Sequence, residues 1–145
     1  MSQTGSVITY AGCPILWASK MQQLIALSTT EAEFIAMSTA LREVISMMNL
    51  LTELKNRGIP IPFSKPKVRC KVFEDNAGAI VIAKEPKMRP RTKHLAVRLH
   101  HFRDHIKRED ITVEHISTKE EIADMFTKPL LRDQFKKLRE KLLGW

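Results

Sequence analysis

Three short segments place a carboxylate beside a structural start signal: Glu33 in STTEAEFIAMSTALRE, Asp75 in VFEDNAGAI and Asp124 in HISTKEEIADMFTKPL. Residues at the carboxyl ends of strands and the starts of following helices can meet at one edge of an α/β sheet. Three carboxylates gathered there would repel one another unless a hard cation neutralised them. Mg²⁺ prefers oxygen ligands and keeps several waters, so carboxylates plus a phosphate oxygen suit it. Two such ions could activate a water and stabilise the leaving oxygen in phosphodiester cleavage.

Each acid also has a plainer reading. Glu33 lies three residues after Thr30, so T-x-x-E is a capping box and the glutamate could be serving a backbone N–H. Asp75 could cap the helix after it, and Asp124 could be a helix-start acid favoured by the dipole. Glu31, Glu74, Glu120 and Glu121 compete for the same roles. The convergence of three such positions in one chain is what favours metal chemistry.

The elements that must position these acids are legible in the patterning. Ser6 to Tyr10 and Ile15 to Ser19 read as strands, joined into a hairpin through Ala11, Gly12 and Pro14. One long helix is predicted from Thr30 to about Asn56, because Phe34, Met37, Leu41, Val44, Met48, Leu51 and Leu54 recur every three or four residues. Arg57-Gly58 ends it, and Pro60, Pro62 and Pro66 mark a loop. Val68 to Glu74 reads as a central strand, with Val68, Cys70, Val72 and Glu74 alternating against Arg69, Lys71 and Phe73. Short helices are predicted at Ala77–Lys84 and His94–Lys107, then a strand at Ile111–Ser117. Glu120 to Leu143 reads as helical with an interruption near Pro129, its last part carrying an apolar stripe of Leu131, Phe135, Leu138 and Leu142. The order β-β-α-β-α-α-β-α describes a mixed α/β layer architecture with helices covering a sheet, in one domain over residues 1–145.

Bulk composition bounds the class. A 145-residue chain that is 43% hydrophobic can build a real core, and a charged fraction of 28% argues against a disordered tail. No apolar run approaches the roughly 20 residues needed to span a bilayer, so no membrane partner is expected. Cys13 and Cys70 are too few and too isolated for a disulfide framework or a zinc site, which makes a reducing, intracellular setting the default. The net charge of +8 favours a polyanionic partner. Lys84, Lys87, Arg89, Arg91, Lys93, Arg98, Arg103, Lys107 and Arg108 crowd one region with His94, His100, His101 and His105. That stretch is either an ordinary solvated face or a surface that grips phosphates. His101 and His105 could share a helix face, but no third ligand is placed to complete a zinc site. Trp17 and Phe126 read as core residues rather than base-stacking platforms.

Five blocks in order carry a family resemblance: W-A-S-K-M-Q-Q (17–23), S-T-T-E-A-E-F-I-A (28–36), E-D-N (74–76), R-T-K-H-L (91–95) and I-A-D-M-F-T-K-P-L (122–130). Together they resemble the ribonuclease H region of Ty1/copia-type retrotransposon Pol polyproteins. The resemblance implies a ribonuclease H-like fold, a mixed sheet flanked by helices. It also implies hydrolysis of the RNA strand of RNA/DNA hybrids during reverse transcription, dependent on Mg²⁺ (or Mn²⁺). Glu33 is similar to the family's helix-start glutamate, Asp75 to the aspartate ending its fourth strand, and Asp124 to its last aspartate; these three would hold metal. Lys84, Lys87, Arg89, Arg91, Lys93, His94 and Arg98 would hold the hybrid. The family's first aspartate lies on a strand upstream of the S-x-T-G block, and no residue here matches it. The expectation is a fragment of a longer polyprotein or a gene remnant, without that first strand and with impaired turnover. The strands at Ser6–Tyr10 and Val68–Glu74 would then have no shared neighbour. Other readings are a catalytically inactive nucleic-acid-binding module, or a protein-interaction piece that packs against a reverse transcriptase domain or another copy. The implied location is the cytoplasm, in a virus-like particle if the element is active, or the nucleus.

Overall fold

The computed structural model describes residues 2–62, 67–85 and 101–145. It is a mixed α/β structure with two small sheets. Strand β1 (Gln3–Tyr10) pairs antiparallel with β2 (Cys13–Met21), and Tyr10 faces Cys13 across a two-residue loop. Ala11 (φ 53°) and Gly12 (φ 81°) both take the left-handed conformation that a tight hairpin matching strand twist demands. The register slips between Ile8 and Thr9, where Pro14 of β2 lies opposite Thr9, as suits a residue with no N–H to donate.

The long helix α1 (Thr29–Asn56) buries the predicted stripe: Phe34, Met37, Leu41, Val44 and Met48 are all in the core. Helix α2 (Ala77–Lys84) has the predicted bounds and packs Ala79 and Ala83 against α1. Phe102 meets Phe34 edge-to-face with ring centroids 5.9 Å apart. Strand β3 (Cys70–Glu74) runs parallel to β4 (Ile111–His115), which contributes Ile111 and Val113 to the same core. By length and composition alone α1 is apolar enough to cross a bilayer, which corrects the sequence expectation that no such run exists. Its place at the centre of the core accounts for that apolarity.

Other differences have local causes. Val68–Glu74 was expected to be central, but β3 pairs only with β4 and β1 only with β2. Of the helix predicted over His94–Lys107, α3 (Arg103–Lys107) is helical, and 94–100 lies outside the described residues. The segment from Glu120 becomes a 3₁₀ turn (Ile122–Phe126) and then α4 (Arg132–Leu143), since Pro129 keeps the residue before it out of helical conformation. On α4 only Leu138 is buried, while Leu131 and Phe135 of the predicted stripe are exposed. Trp17 is 64% exposed, so it is not a core residue, and Phe126 is half-buried.

Candidate functional site

The capping roles that competed for the three acids are taken by their neighbours. Helix α1 starts at Ser28, not Thr30: the Ser28 hydroxyl accepts the Glu31 N–H at 3.1 Å, and Glu31 Oε2 accepts the Leu27 N–H at 2.8 Å. The capping pair is therefore Ser28 with Glu31, which leaves Glu33 unengaged in that role. Helix α2 is capped by Asn76, whose Oδ1 accepts the Ala79 N–H at 3.0 Å, so Asp75 does not cap it. Glu74 Oε1 accepts the Asn76 N–H at 3.1 Å, stiffening the strand-to-helix corner from which Asp75 projects. The 3₁₀ turn is capped by Glu121, which accepts the Ala123 N–H at 3.2 Å.

Glu33, Asp75 and Asp124 line one cleft of about 450 Å³, together with Glu74 and Glu121. Its walls are β1 and β3, and residues of α1 close one side. Asp124 and Glu74 are buried, Asp75 is half-buried and Glu33 is exposed. Partial desolvation, then the charges of Asp75 and Asp124, raise the Glu33 pKa, while Lys128 opposes them. Burial pushes Glu74 up to about 7 against the Asn76 N–H, with Glu33, Asp75 and Glu121 adding to the rise. Glu121 is likewise pushed up to about 7 by burial, against the Ala123 N–H and with Asp75, Asp124 and Glu33 adding. This is a nest of like charges that favours a proton or a cation. Glu120 stands apart: it is tied to Lys137 and Lys141, which hold its carboxyl below the usual range.

The donor chemistry fits a hard divalent cation, because anionic oxygens crowd one another in a partly desolvated cleft. A complete ligand set is not preformed, for among the described residues no three such side chains stand at metal-binding spacing. Lys128 supplies positive charge instead, with Nζ 2.8 Å from Asp124 Oδ2. The sequence reading treated the acids as free of lysine partners and missed this one. The i,i+4 spacing of Asp124 and Lys128 was the available signal. Glu74 and Glu121 were weighed only as substitutes, whereas both join the cluster.

The basic region divides. Lys84 is exposed at the end of α2, while Lys87, Arg89, Arg91, Lys93, His94 and Arg98 lie outside the described residues. Arg103 is turned inward and donates to the Ile82 carbonyl at 3.0 Å, so it supports the fold. Arg108 and His105 both approach Asp110, whose carboxyl is held low chiefly by its hydrogen bond from Lys67.

No protein-family model and no solved structure matches the chain. It is similar to the retrovirus-related Pol polyproteins from transposon RE1 of Arabidopsis thaliana (32% identity over 98% of the chain) and from transposon TNT 1-94 of Nicotiana tabacum (40% over 96%). It is also similar to the transposon Ty1-DR1 Gag-Pol polyprotein of Saccharomyces cerevisiae (29% over 97%). The chain spans 9%, 10% and 8% of the lengths of these three relatives. Over nearly its whole length, then, the chain is a homologue of a segment of Ty1/copia-type retrovirus-related Pol polyproteins.

Proposed function

We propose that this chain is a ribonuclease H-like domain of a retrotransposon Pol polyprotein, acting on the RNA strand of RNA/DNA hybrids during reverse transcription. The observation that carries the reading is the release of Glu33, Asp75 and Asp124 from capping by Ser28–Glu31, Asn76 and Glu121, with all three acids in one cleft. Glu33, Asp75 and Asp124 would hold Mg²⁺ or Mn²⁺, which when bound activates a water and stabilises the leaving oxygen. Glu74 and Glu121 surround these acids and retain protons near neutral pH, which limits the negative charge facing a phosphodiester. The stretch Lys84–Arg98 would grip hybrid phosphates, with Lys84, Lys87, Arg89, Arg91, Lys93, His94 and Arg98 as contacts and affinity falling as salt rises. Shape and 2′-hydroxyls, rather than base edges, would mark the hybrid. A reverse transcriptase domain of the same polyprotein is the natural protein neighbour, in the cytoplasm, a virus-like particle or the nucleus.

Cleavage of a labelled RNA/DNA hybrid in Mg²⁺ and in Mn²⁺ tests the reading. Metal-dependent cleavage lost in Asp75→Asn, with unchanged circular dichroism, is the expected result; cleavage that persists undiminished in that variant overturns the assignment. Lys128 paired to Asp124, without three acids at metal-binding spacing, favours a second reading of a catalytically inactive hybrid-binding module. Salt-sensitive hybrid binding without cleavage in either metal is the result that would select it.

A further inference from the structure

The geometry points to a strand-acceptor groove between β1 and β3, and we propose that it takes an extended apolar segment from elsewhere in a Pol polyprotein. Strand β1 hydrogen-bonds only to β2, and β3 only to β4. Each therefore has one edge without a ladder, and both edges border the same cleft. At the acid end Gly5 and Ser6 line it with Glu74 and Asp75. Towards the other end the cleft continues into a second stretch of about 440 Å³, where Tyr10 and Gly12 line it with Val68 and Arg69. The start of β1 thus lies by the end of β3, so the two strands run in opposite directions. A strand laid between them is parallel to one and antiparallel to the other.

Unpaired N–H and C=O groups on two facing edges call for a backbone occupant, since only a polypeptide carries donors and acceptors at strand repeat on both sides. Adding a strand to an exposed edge is a common mode of peptide recognition, and here one segment would satisfy two edges at once. Five residues, Ser6–Tyr10 on one side and Cys70–Glu74 on the other, correspond to about 17 Å of strand. Side chains facing α1 would meet Met37, Leu41, Val44 and Met48. Those facing the opposite way at the acid end would meet Ile116 and Ile122. The occupant is therefore apolar on both faces near the acids, as a strand covered on two sides is. Its source follows from length: the matched segment is about a tenth of each relative, so most of the polyprotein lies outside it.

The inference is independent of the nuclease reading, and hybrid cleavage is not among its readouts. The test mixes the 145-residue chain with overlapping synthetic peptides covering the rest of the tobacco TNT 1-94 polyprotein. Binding is followed by fluorescence anisotropy and by amide hydrogen exchange. One peptide is expected to bind saturably and to slow exchange on both β1 and β3 by about tenfold or more, equivalent to about 1.4 kcal/mol. Methylating that peptide's backbone nitrogens should abolish binding, a control that leaves the protein's own fold untouched. Ile8→Lys and Val72→Lys, each checked by circular dichroism, should weaken capture. The proposal is overturned if no peptide binds, if only one edge is protected, or if the N-methylated peptide binds equally well. It is also overturned if both edges become protected without peptide as the chain's concentration and mass rise together, because the occupant is then a second copy.

Discussion

Glu33 projects into the acid cleft because α1 begins at Ser28, which places Glu31 rather than Glu33 three residues from the cap. A shift of two residues in a helix start decides which glutamate serves the backbone and which serves the site. Such a shift is hard to read where two capping residues, Ser28 and Thr30, precede two glutamates. Glu74 and Glu121, each near 7 in the folded chain against 4.5 when unfolded, carry the pH dependence. The folded state binds more protons between those values, so the stabilisation is complete below 4.5 and is lost as pH rises through 7. Allowing for solvent screening, the loss between pH 5 and 8 is about 1–3 kcal/mol. Thermal melts should give a Tm several degrees lower at pH 8, and Glu74→Gln with Glu121→Gln should flatten the dependence; a higher Tm at pH 8 would refute it. Lys128→Gln should leave Asp124 as a buried charge without its cation, costing about 1–3 kcal/mol in metal-free buffer. The same variant should show a larger Mn²⁺-induced rise in Tm than the parent, since the carboxylate no longer has a competing partner. An equal rise in both proteins would show that Lys128 does not compete with metal.

Two close approaches position the elements. Ala11 sits at φ 53° in the hairpin loop, a conformation that costs a residue with a Cβ about 1 kcal/mol. Ala11→Asn should therefore raise Tm by a few degrees, because asparagine tolerates the left-handed region. An unchanged or lower Tm would mean that the loop adopts another geometry. Gly5 lets β1 pass against the 3₁₀ turn that carries Asp124: a Cβ there would lie 2.5 Å from Thr127 Cγ2 and 2.7 Å from the Ala123 carbonyl oxygen. Gly5→Ala should cost about 1–3 kcal/mol by denaturant unfolding. A neutral substitution would mean that the turn is not held against β1. The alternation at Val72–Glu74 and the turn residues Ala11-Gly12 made these elements visible in the sequence. The contact between Gly5 and the turn joins residues more than a hundred positions apart, and no local pattern encodes it.

At the scale of the whole molecule, one core holds α1, α2, Phe102 and the inner face of β4. Leu41 is fully buried in it, and Leu41→Ala should lower stability by about 2–5 kcal/mol in a single cooperative transition. A biphasic unfolding curve would instead mean that the hairpin and the core come apart separately.

The sequence by itself determined the order of elements, the buried stripe of α1, the bounds of α2 and the three acids worth watching. Each is a local matter of period, cap or turn. Tertiary structure alone decided which acids were left over from capping, that Glu74 and Glu121 join them, that Lys128 reaches Asp124, and that β1 and β3 face each other without pairing. Those outcomes depend on which side chains arrive from distant segments at one cleft, where desolvation and like charge act between groups far apart in the chain.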